Sequence, residues 1–247
     1  VGSEMCIRDS SASVAQEGKL DLLINMDFRM SGTGLYSDIV LPAATWYEKY
    51  DISSTDMHPF IHPFNPAITP PWESRSDWDT FKKLAKTFQS LAEKYLPETV
   101  KDIVATPLLH DTSDETSQAL GLIPDWKNNG VEPVPGENFP RIHVVEREYT
   151  KVYDKFIALG PNIREKIGAK GLSWDAKEEY DELKDILGTA KTTKEYKDCP
   201  DISADRNAAE AILTLSSTTN GSLAMKAWDT LEKKTGQKLK DLAIERA

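Results

Sequence analysis

The sequence predicts an α/β chain in which part of a doubly wound sheet is followed by a long helix- and loop-rich stretch. Three observations carry that expectation. Leu20–Met26 (LDLLINM) is a short, nearly continuous apolar run, the pattern of a parallel strand buried on both faces. Asp38–Pro42 (DIVLP) is a second such run, stopped by a proline that cannot continue a central strand. Beyond Ser76 the apolar residues recur at helical spacing in several separate segments.

Ser31-Gly32-Thr33-Gly34 lies between the two runs and suits a tight turn. The connection is about a dozen residues long, which leaves room for a loop or a helix of one to two turns. From Thr45 to Trp72 no period is clear, and prolines at 59, 63, 66, 70 and 71 predict one long extended segment. Ser76 opens a helix, with Asp79 three residues on as a weak capping pair. Trp78, Phe81, Leu84, Ala85, Phe88, Leu91 and Ala92 give that helix one apolar face. Residues 96–140 read as loop-rich, with a short helix at Asp114–Leu120. Ile142–Glu146 reads as a strand, and helices follow around Tyr149–Ala158 and Asp175–Leu187. Thr189–Ile202 reads as a polar connection. Two further helices fit Ala204–Leu215 and Leu223–Lys234, the second stopped by Gly236.

Composition narrows the function classes. Forty acidic residues stand against 30 basic ones, for a net charge of -10. Non-specific nucleic-acid binding needs the opposite balance. No apolar run approaches the roughly 18 residues that would suggest a membrane span. Hydrophobic residues make up 39%, low for a closed globule, and mean hydropathy is -0.48. Residues 1–10, VGSEMCIRDS, resemble the translation of a transposon-end sequencing adapter, so they are set aside as an artefact. Met5 is then no start and Cys6 no native thiol, and the native chain is expected to be part of a longer protein. Cys199 remains, too few for an internal disulfide or a cysteine metal cluster.

Several residues are placed to carry chemistry. Asp27 follows an apolar run directly, and the carboxyl end of a parallel strand is where doubly wound sheets bind ligands. A carboxylate there accepts hydrogen bonds from a guanine edge or a ribose, or else it forms a turn. Arg29 and Lys49 suit phosphate oxygens, Arg as a planar fork and Lys as a point charge. The turn that begins at Ser31 can present amide hydrogens to phosphate, although no GxGxxG or P-loop pattern occurs. His58 and His62 lie four apart, but Pro59 and Pro63 follow them and disfavour a helix. HPFIHP is therefore read as packing, not as a metal site. Asp77 sits in the first turn of its helix, where a carboxylate complements the dipole. No Ser/His/Asp or Cys/His set can be assembled.

The string MDFRMSGTGLYSDIVLPAATWYEKYDISSTDMHPFIHP resembles the catalytic alpha subunits of membrane-bound respiratory nitrate reductases. Those belong to the molybdenum enzymes that carry two molybdopterin guanine dinucleotides. The matching steps are Asp27 after a strand, Ser31 and Thr33 in a turn, Ser37-Asp38, Leu41-Pro42 and Trp46-Tyr47-Glu48. DMHPFIHP narrows the match to the nitrate reductase branch. SRSDW (Ser74–Trp78), LGPNIREKIG (Leu159–Gly168), AAEAILTLSSTTNG (Ala208–Gly221) and KAW (Lys226–Trp228) extend it over nearly the whole chain.

The resemblance implies a partial doubly wound cofactor-binding domain over residues 11–95, with a helix- and loop-rich continuation and insertion over 96–247. It implies that Met26 and Asp27 read the nucleotide, that Lys49 is a basic cofactor contact, and that Asp77 is a second acidic contact near the guanosine end. Arg29 and Ser31 join the candidate cofactor set, and Asp38 joins it at second rank, as a residue that supports the fold. The molybdenum ligand and the ligands of the 4Fe-4S cluster are expected outside this chain, so no catalytic or metal-ligating residue is assigned. The implied reaction is reduction of nitrate to nitrite in the full-length subunit, with the fragment alone inactive. The implied partners are an iron–sulfur beta subunit and, indirectly, a haem-containing membrane gamma subunit, with the enzyme peripheral on the cytoplasmic face of a bacterial membrane. The alternatives are a relative acting on chlorate, selenate or a sulfoxide, and a stand-alone α/β nucleotide-binding module.

Overall fold

Residues 21–55, 58–105, 108–118, 134, 142–169, 171–192 and 195–240 are described by the computed structural model. The adapter-like start, Leu20 and the end of the helix expected at Asp114–Leu120 lie outside them. Strand β1 (Ile24–Asp27) pairs in parallel with β2 (Ile39–Pro42), in a register that runs from Ile24 opposite Ile39 to Asp27 opposite Pro42. The link is α1 (Gly32–Leu35), a single turn whose N-cap Ser31 accepts a hydrogen bond from the Gly34 amide. Gly34 is needed where α1 meets β1. A Cβ there would lie 2.9 Å from Met30 Sδ and 3.2 Å from Asn25 Nδ2.

The expected two-face burial of the first strand does not occur among the described residues. Ile24 and Ile39 are exposed. The sheet is two strands wide, and one helical turn covers too little of it.

The expected long extended segment after Thr45 contains two paired strands. β3 (Asp51–Thr55) and β4 (His58–Phe64) form an antiparallel pair, with Asp51 opposite Phe64. Prolines 59 and 63 both fall in β4. They are tolerated because each strand of a two-stranded ladder has an unpaired edge, where a missing N–H costs nothing. His58 and His62 share this strand, and four residues of strand span about 13 Å, against about 6 Å for a helical i, i+4 pair.

Helix α2 (Asp77–Tyr95) begins where expected. The Ser76 side chain accepts from the Asp79 amide at 3.1 Å, and Asp77 and Asp79 occupy the first turn. Its apolar face is only partly used. Ala85 and Ala92 are buried, but Phe81, Leu84, Phe88 and Leu91 are each about half exposed. The pattern marks which residues are apolar, not what covers them.

The main core is built by the elements that follow an exposed strand pair. β5 (Val100–Ala105), which the loop-rich reading missed, pairs antiparallel with β6 (Ile142–Arg147). Between them lies α3 (Ser113–Thr116), and after β6 come a 3-10 turn at Tyr149–Lys151, α4 (Val152–Ile157), α5 (Asn162–Glu165), and the short hairpin of β7 (Ile167–Ala169) and β8 (Leu172–Trp174). Last are α6 (Lys177–Leu187), α7 (Asp205–Leu215) and α8 (Gly221–Thr235). Gly236 ends α8 with φ +71°, a left-handed cap that glycine adopts without strain. Leu159, Tyr180, Leu183, Ile202, Leu215 and Leu223 form the centre of this core.

Three contacts tie it together. Trp78 donates its indole N–H to the Ile202 carbonyl at 2.9 Å and lies against Phe156, with ring centroids 4.6 Å apart. Thus the start of α2 is fixed to the second half of the chain. The buried Glu179 accepts from Ser222 Oγ at 3.0 Å and from Lys226 Nζ at 3.2 Å, which joins α6 to α8. Buried Asp114 lies against Gly160, where a Cβ would come within 2.2 Å of its Cγ.

Candidate functional site

The site forms where three separate segments run side by side. The Asp27 carbonyl accepts from the Ala43 amide at 3.1 Å, so β2 extends past the end of β1. The Ala44 amide then donates to the Arg75 carbonyl at 2.7 Å, and the Arg75 amide donates to the Pro42 carbonyl at 3.2 Å. Residues 42–44 therefore thread between the carboxyl end of β1 and the residues leading into α2. That threading carries Asp27, at a strand end, and Asp77, at a helix start, to the wall of one cavity.

The cavity has a volume of about 420 Å³. Met26, Asp27, Lys49 and Asp77 all line it, together with Phe28, Ala43, Ala44, Thr45 and Trp46. Lys49 also borders a second cavity of about 490 Å³, walled by Glu48, Tyr50, Arg75, Ser76, Asp79 and the loop from Pro66 to Pro70.

The charges within the site are paired. Lys49 Nζ donates to Asp77 Oδ2 in a short ion pair and meets Asp51 Oδ2 at 2.9 Å. Its side chain is nearly buried. Burial works against its charge, but hydrogen bonds and charge from Asp77 and then Asp51 outweigh that and hold its pKa above the ordinary lysine value. Lys49 thus stands between the carboxylates of Asp51 and Asp77, and those of Asp27 and Asp77 line the same cavity. Such a set suits a ligand edge rich in N–H and O–H donors. Among the described residues Asp27 keeps most of its accepting capacity, with the Arg29 amide donating to Oδ1 at 3.4 Å.

The other candidates lie outside this lining. Arg29 is exposed, its guanidinium over the Phe28 ring at 5.6 Å from the centroid. Ser31 caps α1. Asp38 accepts from the Leu23 amide at 2.8 Å and so anchors the approach to β1. Sequence reasoning did not single out Phe28, Thr45 or Trp46 as lining residues. The available signals were the adjacency of Phe28 to Asp27 and the Trp-x-Glu step.

Comparison with known proteins identifies the family. Residues 3–87 match the molybdopterin oxidoreductase family, and residues 165–247 match nitrate reductase alpha chain, domain V. The chain is 60% identical over 233 residues to the nitrate reductase alpha chain of Bacillus subtilis, covering 94% of this chain and 19% of that one. It is 48% identical over 228 residues to the nitrate reductase alpha subunit of Mycobacterium tuberculosis H37Rv, covering 92% and 18%. It is 44% identical over 232 residues to the respiratory nitrate reductase 1 alpha chain of Escherichia coli K12, covering 93% and 18%. The chain belongs to the nitrate reductase alpha-chain branch of the molybdopterin oxidoreductases and spans about a fifth of the length of the relatives it matches.

Proposed function

We propose that this chain is the part of a nitrate reductase alpha subunit that holds the guanosine end of a molybdopterin guanine dinucleotide. The observation that carries this reading is that Met26, Asp27, Lys49 and Asp77, drawn from three segments, line one cavity. The donor set fits the group. A guanine edge and a ribose offer N–H and O–H donors, which Asp27 and Asp77 accept. Lys49 pairs with Asp77 and borders both cavities, which places its charge to meet a pyrophosphate. Met26 offers its backbone and an apolar surface.

When bound, the molybdenum centre supplies two-electron oxygen-atom transfer, by which nitrate, two electrons and two protons become nitrite and water. The residues of this chain bind and orient the cofactor; the metal and iron–sulfur ligands belong to other parts of the full-length subunit. The electrons arrive through an iron–sulfur partner subunit, itself fed by a haem-containing membrane subunit, with the complex peripheral on the cytoplasmic face. Among the described residues no helix is long and apolar enough to cross a membrane.

The test is to purify the full-length subunit and measure molybdenum, acid-released GMP and nitrate reduction with a reduced viologen donor. Stoichiometric molybdenum and GMP with nitrite formation support the reading. A purified subunit that contains neither contradicts it.

A further inference from the structure

Trp46 and Phe28 flank the cavity wall beside Asp27, and both are more than half exposed, at 61% and 55%. Their ring centroids lie 6.3 Å apart, with planes tilted by 44°. The pair is too close and too tilted to admit a base between the rings. Phe28 instead backs the indole and leaves the rest of its surface open.

The turn that carries Trp46 is fixed. The Thr45 amide donates to Glu48 Oε2 at 2.9 Å, and the Glu48 amide donates to the Thr45 carbonyl at 2.9 Å. An exposed aromatic on a closed turn is a large, rigid surface that loses little freedom on binding. The same cavity is lined by the carboxylates of Asp27 and Asp77, which can accept donors from the edge of a planar ring. A flat face beside edge acceptors matches a purine base.

We propose that Trp46 is the stacking platform for the purine base of the bound dinucleotide, with Phe28 as its backing. This rests on the guanine dinucleotide reading above and deepens it. Stacking is tolerant of base identity, so Trp46 supplies retention while Asp27 and Asp77 supply the choice of guanine.

The experiment uses the full-length enzyme purified with its cofactor, as wild type, Trp46→Phe and Trp46→Leu. The readout is acid-released GMP per polypeptide, followed through prolonged dialysis. Absence of GMP from the wild type overturns the dinucleotide reading itself. Where the wild type retains GMP, Trp46→Leu should lose it on the order of 10-fold faster, as expected for one stacked base. Trp46→Phe keeps a ring and should lose it at close to the wild-type rate. Equal retention in Trp46→Leu and wild type overturns the platform. Equal loss from both variants also overturns it, because the ring would then not be what matters.

Discussion

Lys49 and Asp77, twenty-eight residues apart in sequence, form an ion pair at the wall of the candidate cofactor cavity. Asp51 completes the cluster from the other side at 2.9 Å. The pair joins the end of the Trp-x-Glu turn to the first turn of α2. It fixes the Asp77 carboxylate at the cavity wall, where a donor-rich ligand edge would meet it.

Replacing Lys49 with Met should therefore weaken both cofactor retention and folding. Asp51 and Asp77 are partly exposed, so the stability cost should be modest, about 1 kcal/mol in a thermal or urea midpoint. The Lys49 pKa is raised in the folded state. Its contribution is therefore complete below the ordinary lysine value and is lost only as pH rises through the raised one. Between about pH 6 and 9 the Lys49→Met deficit should stay flat. A deficit that titrates near neutrality would contradict the pairing.

Gly160 should not accept a side chain. A Cβ there would lie 2.2 Å from Asp114 Cγ and 2.4 and 2.5 Å from its oxygens, and Asp114 is buried. Gly160→Ala should cost about 1–3 kcal/mol, measured as a shift in urea midpoint. Much of that cost should disappear in an Asp114→Ala background, since the two sites share one contact. An undiminished cost in the double variant would place the clash elsewhere.

Trp78 fixes α2 to the core, and its two contacts can be separated. Trp78→Phe keeps a ring against Phe156 but removes the bond to the Ile202 carbonyl, for about 1 kcal/mol. Trp78→Ala removes both and should cost about 3–5 kcal/mol. Equal losses from the two variants would show that the ring packing contributes little.

Parts of this fold were legible in the sequence and parts were not, for separable reasons. β1, β2 and the one-turn α1 could be read because apolar runs and a Ser-Gly-Thr-Gly turn are local signals. The start of α2 at Ser76 and the glycine stop of α8 are local too. β4 was hidden by Pro59 and Pro63, which argue against a central strand but not against an edge. β5 was hidden because its alternation is short and broken by Lys101 and Asp102. The half-exposed Phe81, Leu84, Phe88 and Leu91 show the limit of periodicity, which cannot name a neighbour. Within the site, Asp27 was marked by its place at a strand end. The pairing of Lys49 with Asp77 was not readable, because it depends on residues 42–44 threading between β1 and Arg75.

The most direct test of the central claim is the GMP content of the full-length enzyme carrying Asp27→Ala or Asp77→Ala. If both carboxylates hold the guanosine end, each variant should be purified with clearly less acid-released GMP per polypeptide than the wild type, at comparable yield of folded protein. Full GMP content in both variants would contradict the account.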